Sequence, residues 1–108
     1  MEISIDLKLM REIVFKDELL LKEMLDEWKI DSNSKITEIK KRFMEQDNKG
    51  LYNKIHELKT NFSMLHCGEA IRFCESIIKK IETENPVVEN EIRELDAIVL
   101  KVNSQLNI

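Results

Sequence analysis

Glycine and proline are nearly missing from this chain: two glycines and one proline occur in 108 residues. Sandwiches and barrels of short strands need a turn signal every few residues, so this scarcity argues against β architecture. Long hydrophobic runs are missing too, and none approaches the ~20 apolar residues of a membrane span. The leading segment Met1-Glu2-Ile3-Ser4-Ile5-Asp6 has neither a basic start nor an apolar stretch, so no secretory leader is expected there. Concentrated basic charge is lacking as well. Seventeen lysines and arginines are outnumbered by 21 acids, for a net charge of −4, which argues against a nucleic-acid partner. There is no glycine-rich phosphate loop, hence no sign of an autonomous kinase. Cysteine is limited to Cys67 and Cys74. On one helix their Cα atoms stand ~10 Å apart, beyond disulfide reach. Two reduced thiols and no leader suggest the cytoplasm. His56, His66, Cys67 and Cys74 lack the two close ligand pairs of a closed zinc site, so no metal is expected.

What is present is helical periodicity. With 43% apolar and 35% charged residues, the chain has the usage of a soluble helical protein. Its length allows one domain, spanning residues 1–108. Apolar residues recur at threes and fours rather than in alternation. Leu7, Met10, Ile13 and Val14 mark a short lead-in helix. A long segment over about 17–45 carries Leu21, Leu25, Trp28, a polar slot at Ser32, then Ile36, Ile39 and Phe43. The spacing stays in phase across Asp31-Ser32-Asn33-Ser34, which favours one long helix over two with Ser32 or Ser34 as a new N-cap.

Asp47-Asn48-Lys49-Gly50 reads as a turn and helix start, and the third segment then carries Leu51, Ile55, Leu58, Phe62 and Leu65. His66-Cys67-Gly68 interrupts it. The fourth segment, about 69–83, carries Ala70, Cys74, Ile77 and Ile81, broadened by Ile71, Phe73 and Ile78. Cys74 is in phase with this stripe and reads as a small buried residue. The last helix is expected to start at Asn85-Pro86, Asn as N-cap and Pro at the first helical position, with the stripe Val88, Ile92, Leu95, Val99, Val102 and Leu106. Such helices bury their stripes best as an antiparallel four-helix bundle behind the lead-in, with a core over about 17–106.

One histidine lies off its helix's stripe. Helices advance ~100° per residue. With His56 at zero, the apolar residues of the third helix fall at roughly 180° to 260°. Tyr52, Lys59 and Ser63 fall within about 60° of His56, as do Lys49, Asn53 and Thr60. His56 is therefore expected on the solvent face among polar neighbours. Taken alone, an exposed histidine near an exposed lysine is commonplace.

The run Ile55-His56-Glu57-Leu58-Lys59-Thr60-Asn61-Phe62-Ser63-Met64-Leu65 resembles the signature of histidine-containing phosphotransfer (HPt) domains, H-x-L-K-G followed by small and apolar residues. His56, Leu58 and Lys59 match it. Trp28, Ile36 and Ile39 stand where the family's upstream aromatic and spaced apolar residues would fall, and Asp47 and Gly50 fit its acidic turn. The resemblance covers roughly residues 17–82. It implies that His56 accepts a phosphoryl group from a receiver-domain aspartate and passes it to another receiver, with Lys59 stabilising the phosphate. It implies partners among response-regulator receiver domains, including that of a hybrid sensor histidine kinase. It implies no cofactor on this chain and Mg²⁺ on the receiver. The expected docking surface is Tyr52, Thr60, Ser63 and Met64, and the module is expected to be a monomer.

The sequence departs from the family at three positions. Thr60 replaces the glycine after the lysine, and its hydroxyl is a candidate phosphoryl contact. His66 replaces the glycine that ends the histidine helix, and Ile78 stands where a polar residue is common. These departures support a second reading, a degenerate docking bundle that transfers nothing. A third reading is an unrelated helical adaptor or coiled-coil oligomer, motivated by the heptad-like spacing of the last helix.

Overall fold

Every turn between helices in this chain is made by residues other than glycine in a left-handed conformation. A computed structural model describes residues 3–107. Met1 and Glu2, part of the segment read for a leader, and Ile108 lie outside the described residues. Five helices follow in order: α1 (Lys8–Ile13), α2 (Glu18–Met44), α3 (Asn48–Met64), α4 (Gly68–Glu82) and α5 (Glu89–Gln105). The described residues hold no strand. Positive φ values occur at Phe15 and Lys16, at Gln46, at His66 and at Glu84, and at neither glycine. At all four turns the hydrogen bonds are those of a Schellman ending, Lys16 N–H donating to the Arg11 carbonyl after α1. Asp47 N–H donates to the Arg42 carbonyl, Cys67 N–H to Phe62, and Asn85 N–H to Lys80. Each left-handed residue thus satisfies carbonyls that the helix end would leave without partners.

α2 is one helix through Ser32, as its phase predicts. Ser32 is fully buried, and its hydroxyl donates to the Lys29 carbonyl at 3.1 Å, so the polar slot carries its own partner. The start of α5 differs from expectation. Its N-cap is Val88, not Asn85. Asn85 completes the end of α4 instead, through its backbone N–H and through its side-chain amide, which donates to Thr83 Oγ1. The first amide of α5 finds its acceptor in Glu91, whose carboxylate takes the Val88 N–H at 2.9 Å and also pairs with Lys80. Val88 is consequently 47% exposed, and Val87 packs on the core in its place.

The four long helices each pack on two neighbours: α2 on α3, α3 on α4, α4 on α5, and α5 back on α2. Between α2 and α5 the contacts run in reversed order. Lys40 meets Asp96 while Asn33 meets Asn103 and Lys29 meets Asn107. Between the four helices Leu21, Leu25, Ile39, Ile55, Leu58, Phe62, Ile77, Leu95 and Val99 are sealed from solvent. Phe43 and Ile81 are only partly buried at the edge of this core. The lead-in is more integral than a core over 17–106 implies. Met10, Val14 and Ile3 are buried, Asp6 N–H donates to the Leu65 carbonyl at 2.8 Å, and Gln105 donates to the Ile3 carbonyl. Ile13 of the expected stripe is instead 52% exposed, because α1 buries Met10 and Val14.

One polar tie fixes α2 against α3. At the end of α3 the Leu65 N–H turns to the Phe62 carbonyl, a tightened last turn that withdraws it from Asn61. The indole N–H of the buried Trp28 donates to the Asn61 carbonyl at 2.7 Å. The Trp28 ring also lies 5.9 Å from that of Phe62. The Asn61 side chain completes the tie: its amide donates to Asp31 Oδ2 at 2.9 Å, and its oxygen accepts from Lys35 at 2.7 Å. Lys35 bonds Asp31 as well. Lys35 first and Asn61 second hold the Asp31 carboxyl below its ordinary pKa of 3.8.

Two predictions concern stability. Trp28→Phe shrinks a buried ring and strands a buried carbonyl, and we expect a loss of at least about 1–3 kcal/mol in urea unfolding. His66→Gly removes a side chain from a left-handed position, and we expect a gain of about 1 kcal/mol, after allowance for glycine's greater unfolded-state entropy. An unchanged midpoint in either variant contradicts the corresponding assignment.

Candidate functional site

The start of α3 is held by its N-cap. Asp47 accepts the Gly50 N–H at 2.9 Å, and Arg42, reaching from α2, bonds the same carboxylate at 3.2 Å. The absence of a side chain at Gly50 matters here, since a Cβ would collide with the Asp47 carboxylate and crowd the Arg42 stem at 2.9 Å. The cap and the Trp28–Asn61 tie pin α3 near both ends, with His56 midway between them.

On α3 the core takes Leu51, Ile55, Leu58 and Phe62, none more than 1% exposed. His56 lies away from that stripe, but it is half-buried rather than open to solvent. The cause is Tyr52, one turn earlier, whose ring meets the imidazole with centroids 4.6 Å apart and planes at 63°. The Tyr52 hydroxyl donates to Glu82 Oε2 on α4 at 3.4 Å. Lys59 is half-buried and forms no ion pair among the described residues.

Thr60 and Ser63 are both exposed beside these residues, with their hydroxyls turned to backbone. Thr60 donates to the His56 carbonyl at 3.2 Å and Ser63 to that of Lys59 at 3.0 Å. The Thr60 donor is thereby occupied within the helix. Met64 faces the α2 side, where it lines a hollow of about 230 Å³ with Met24, Glu27, Trp28, Asp31 and Asn61. Tyr52, Lys59, Thr60 and Ser63 therefore flank His56, whereas Met64 belongs to the adjoining α2–α3 crevice. Ile78 is buried at 6% exposure, and its aliphatic side chain has no hydrogen bond to offer the imidazole.

Two residues that sequence reasoning passed over shape the site. Asn61 is buried and bonded on three sides. Its signal lay in Trp28, Asp31 and Lys35, whose spacing of three and four puts one aromatic and two opposite charges on a single α2 face. Glu82 reaches Tyr52 from another helix, and no local pattern marks it. His66 is exposed at the left-handed end of α3. No group of metal-ligating side chains occurs among the described residues, and no helix among them is long and apolar enough to cross a membrane. No family model matches the chain, and comparison with curated proteins and with solved structures finds no match.

The cysteines stand apart from this chemistry. Both are buried and unpaired. Burial pushes the Cys74 thiol up to about 12, against a smaller opposing pull from Lys59. Burial raises the Cys67 thiol as well. We expect an aromatic disulfide reagent at pH 8 to leave Cys74 untouched in the folded chain and to modify both thiols in denaturant. Rapid reaction of Cys74 in the native protein contradicts its placement.

Proposed function

We propose that this chain is an antiparallel four-helix bundle with a short lead-in helix, acting in the cytoplasm as a histidine phosphotransfer module. The reversed order of contacts between α2 and α5 supports the bundle. The observation that carries the functional reading is the position of His56. It lies off the core stripe of a helix pinned near both ends, with Lys59, which forms no ion pair among the described residues, one turn away.

In this reading His56 is the acceptor. A ring nitrogen without a proton attacks the phosphorus of a receiver's phosphoaspartate. The N–P bond forms as the P–O bond to the aspartate breaks, and the aspartate leaves as a carboxylate. A second receiver aspartate takes the group by the reverse exchange. Phosphoryl transfer depends on placement and neutralisation of charge more than on covalent chemistry. This chain supplies the nucleophile and, in Lys59, a cation for the developing charge. The receiver docks over Tyr52, Thr60, Ser63 and Met64 and brings Mg²⁺.

A second reading, a docking bundle without transfer, is favoured by Thr60. Its side chain takes up room beside His56, and its hydroxyl is spent on the helix backbone. The two readings separate on treatment with phosphoramidate, whose P–N bond breaks as ammonia leaves. We expect one added phosphoryl group in the intact mass, acid-labile, and absent from His56→Gln. Lys59→Ala should fold normally and gain the group at least tenfold more slowly. No addition to the parent chain favours the docking reading, and addition that persists in His56→Gln removes His56 from the role.

A further inference from the structure

Beyond the acceptor and its lysine, we propose that Tyr52 is a positioning residue: its ring, packed against the core one turn before His56, sets the orientation of the His56 imidazole. The consequence for phosphorylation rests on the phosphotransfer reading, whereas the placement of the ring does not.

A histidine on a helix face has a poorly defined terminal torsion, because rotation about an sp³–sp² bond has broad minima. Something must hold the ring if it is to meet a phosphorus in line. Among the described residues no side chain hydrogen-bonds the imidazole. The neighbouring hydroxyls of Thr60 and Ser63 are turned to backbone carbonyls. Tyr52 is the contact that remains. Residues four apart stack on one helix face, and the tilted approach at 4.6 Å and 63° is the arrangement that aromatic quadrupoles favour.

Tyr52 is itself restrained. Its ring packs on the core, and its hydroxyl reaches Glu82 in the last turn of α4. A phenol is protonated at neutral pH, so the Tyr52 hydroxyl is able to donate to Glu82. Glu82 leaves the rest of the site alone, since its bond goes to Tyr52 and not to His56.

The test compares the parent chain with Tyr52→Leu and Tyr52→Phe, using phosphoramidate so that receiver docking plays no part. The first readout is the proton shifts of the His56 ring, which a neighbouring aromatic displaces. We expect the displacement in the parent and in Tyr52→Phe, and its collapse in Tyr52→Leu with far-UV dichroism unchanged. The second is the rate of His56 phosphorylation. It should fall roughly three- to tenfold in Tyr52→Leu, the worth of an aromatic pair of this geometry, and recover to within about twofold of the parent in Tyr52→Phe, which keeps that pair. His56 shifts that are the same in parent and Tyr52→Leu overturn the proposal, as does an equal or faster rate in Tyr52→Leu. A parent chain that takes no phosphoryl group sinks the phosphotransfer reading, and the ring shifts alone then decide whether Tyr52 positions the imidazole.

Discussion

The bond from the Trp28 indole to the Asn61 carbonyl is the constraint on which the rest of the molecule turns. It exists because the last turn of α3 tightens and frees that carbonyl from its helical partner. A buried carbonyl without a donor is costly, and a buried indole N–H has the same need. Each group solves the other's problem, and the solution fixes how far α3 slides along α2. The Asp31–Lys35–Asn61 cluster repeats the constraint with charge at the rim of the same contact. Apolar stripes alone tolerate small axial shifts, since hydrophobic burial is not directional. The polar tie selects one register, and the position of His56 relative to α2 follows from it.

Much of this architecture is legible in the chain itself. The unbroken phase from Leu21 to Ile39 announces α2 as one helix through a polar slot, and Asp47 announces the cap of α3. The off-stripe angle of His56 follows from counting residues. The failures are equally physical. Asn85-Pro86 has the chemistry of a helix start, but the end of α4 claims Asn85 first, and α5 starts from Val88 three residues later, with Glu91 accepting the Val88 N–H. Helix ends compete for the same short polar residues, and local sequence does not say which end wins. The half-burial of His56 was also hidden, because it depends on how the Tyr52 ring packs against the core.

Glycine scarcity shapes the turns as well as the fold class. With Gln46, His66 and Glu84 in left-handed conformations, the molecule accepts a cost at each helix end that glycine would relieve. His66 occupies the place where the resembled family carries glycine, and the turn still forms. That departure is thus absorbed by the backbone. Thr60 is different, since its bulk remains on the face beside His56. If the chain transfers phosphoryl groups, its receiver must fit around that methyl and hydroxyl.

The proposed function reduces to one claim: that the imidazole of His56, left over when the core is complete, is the reactive one of the two in the chain. The most direct measurement is a long-range proton–nitrogen correlation spectrum of both imidazole rings, recorded before and after exposure to phosphoramidate. We predict that one ring nitrogen of His56 moves to the position of a phosphorylated nitrogen while both nitrogens of His66 stay unchanged. A spectrum in which His66 moves instead, or in which neither ring changes, contradicts the claim.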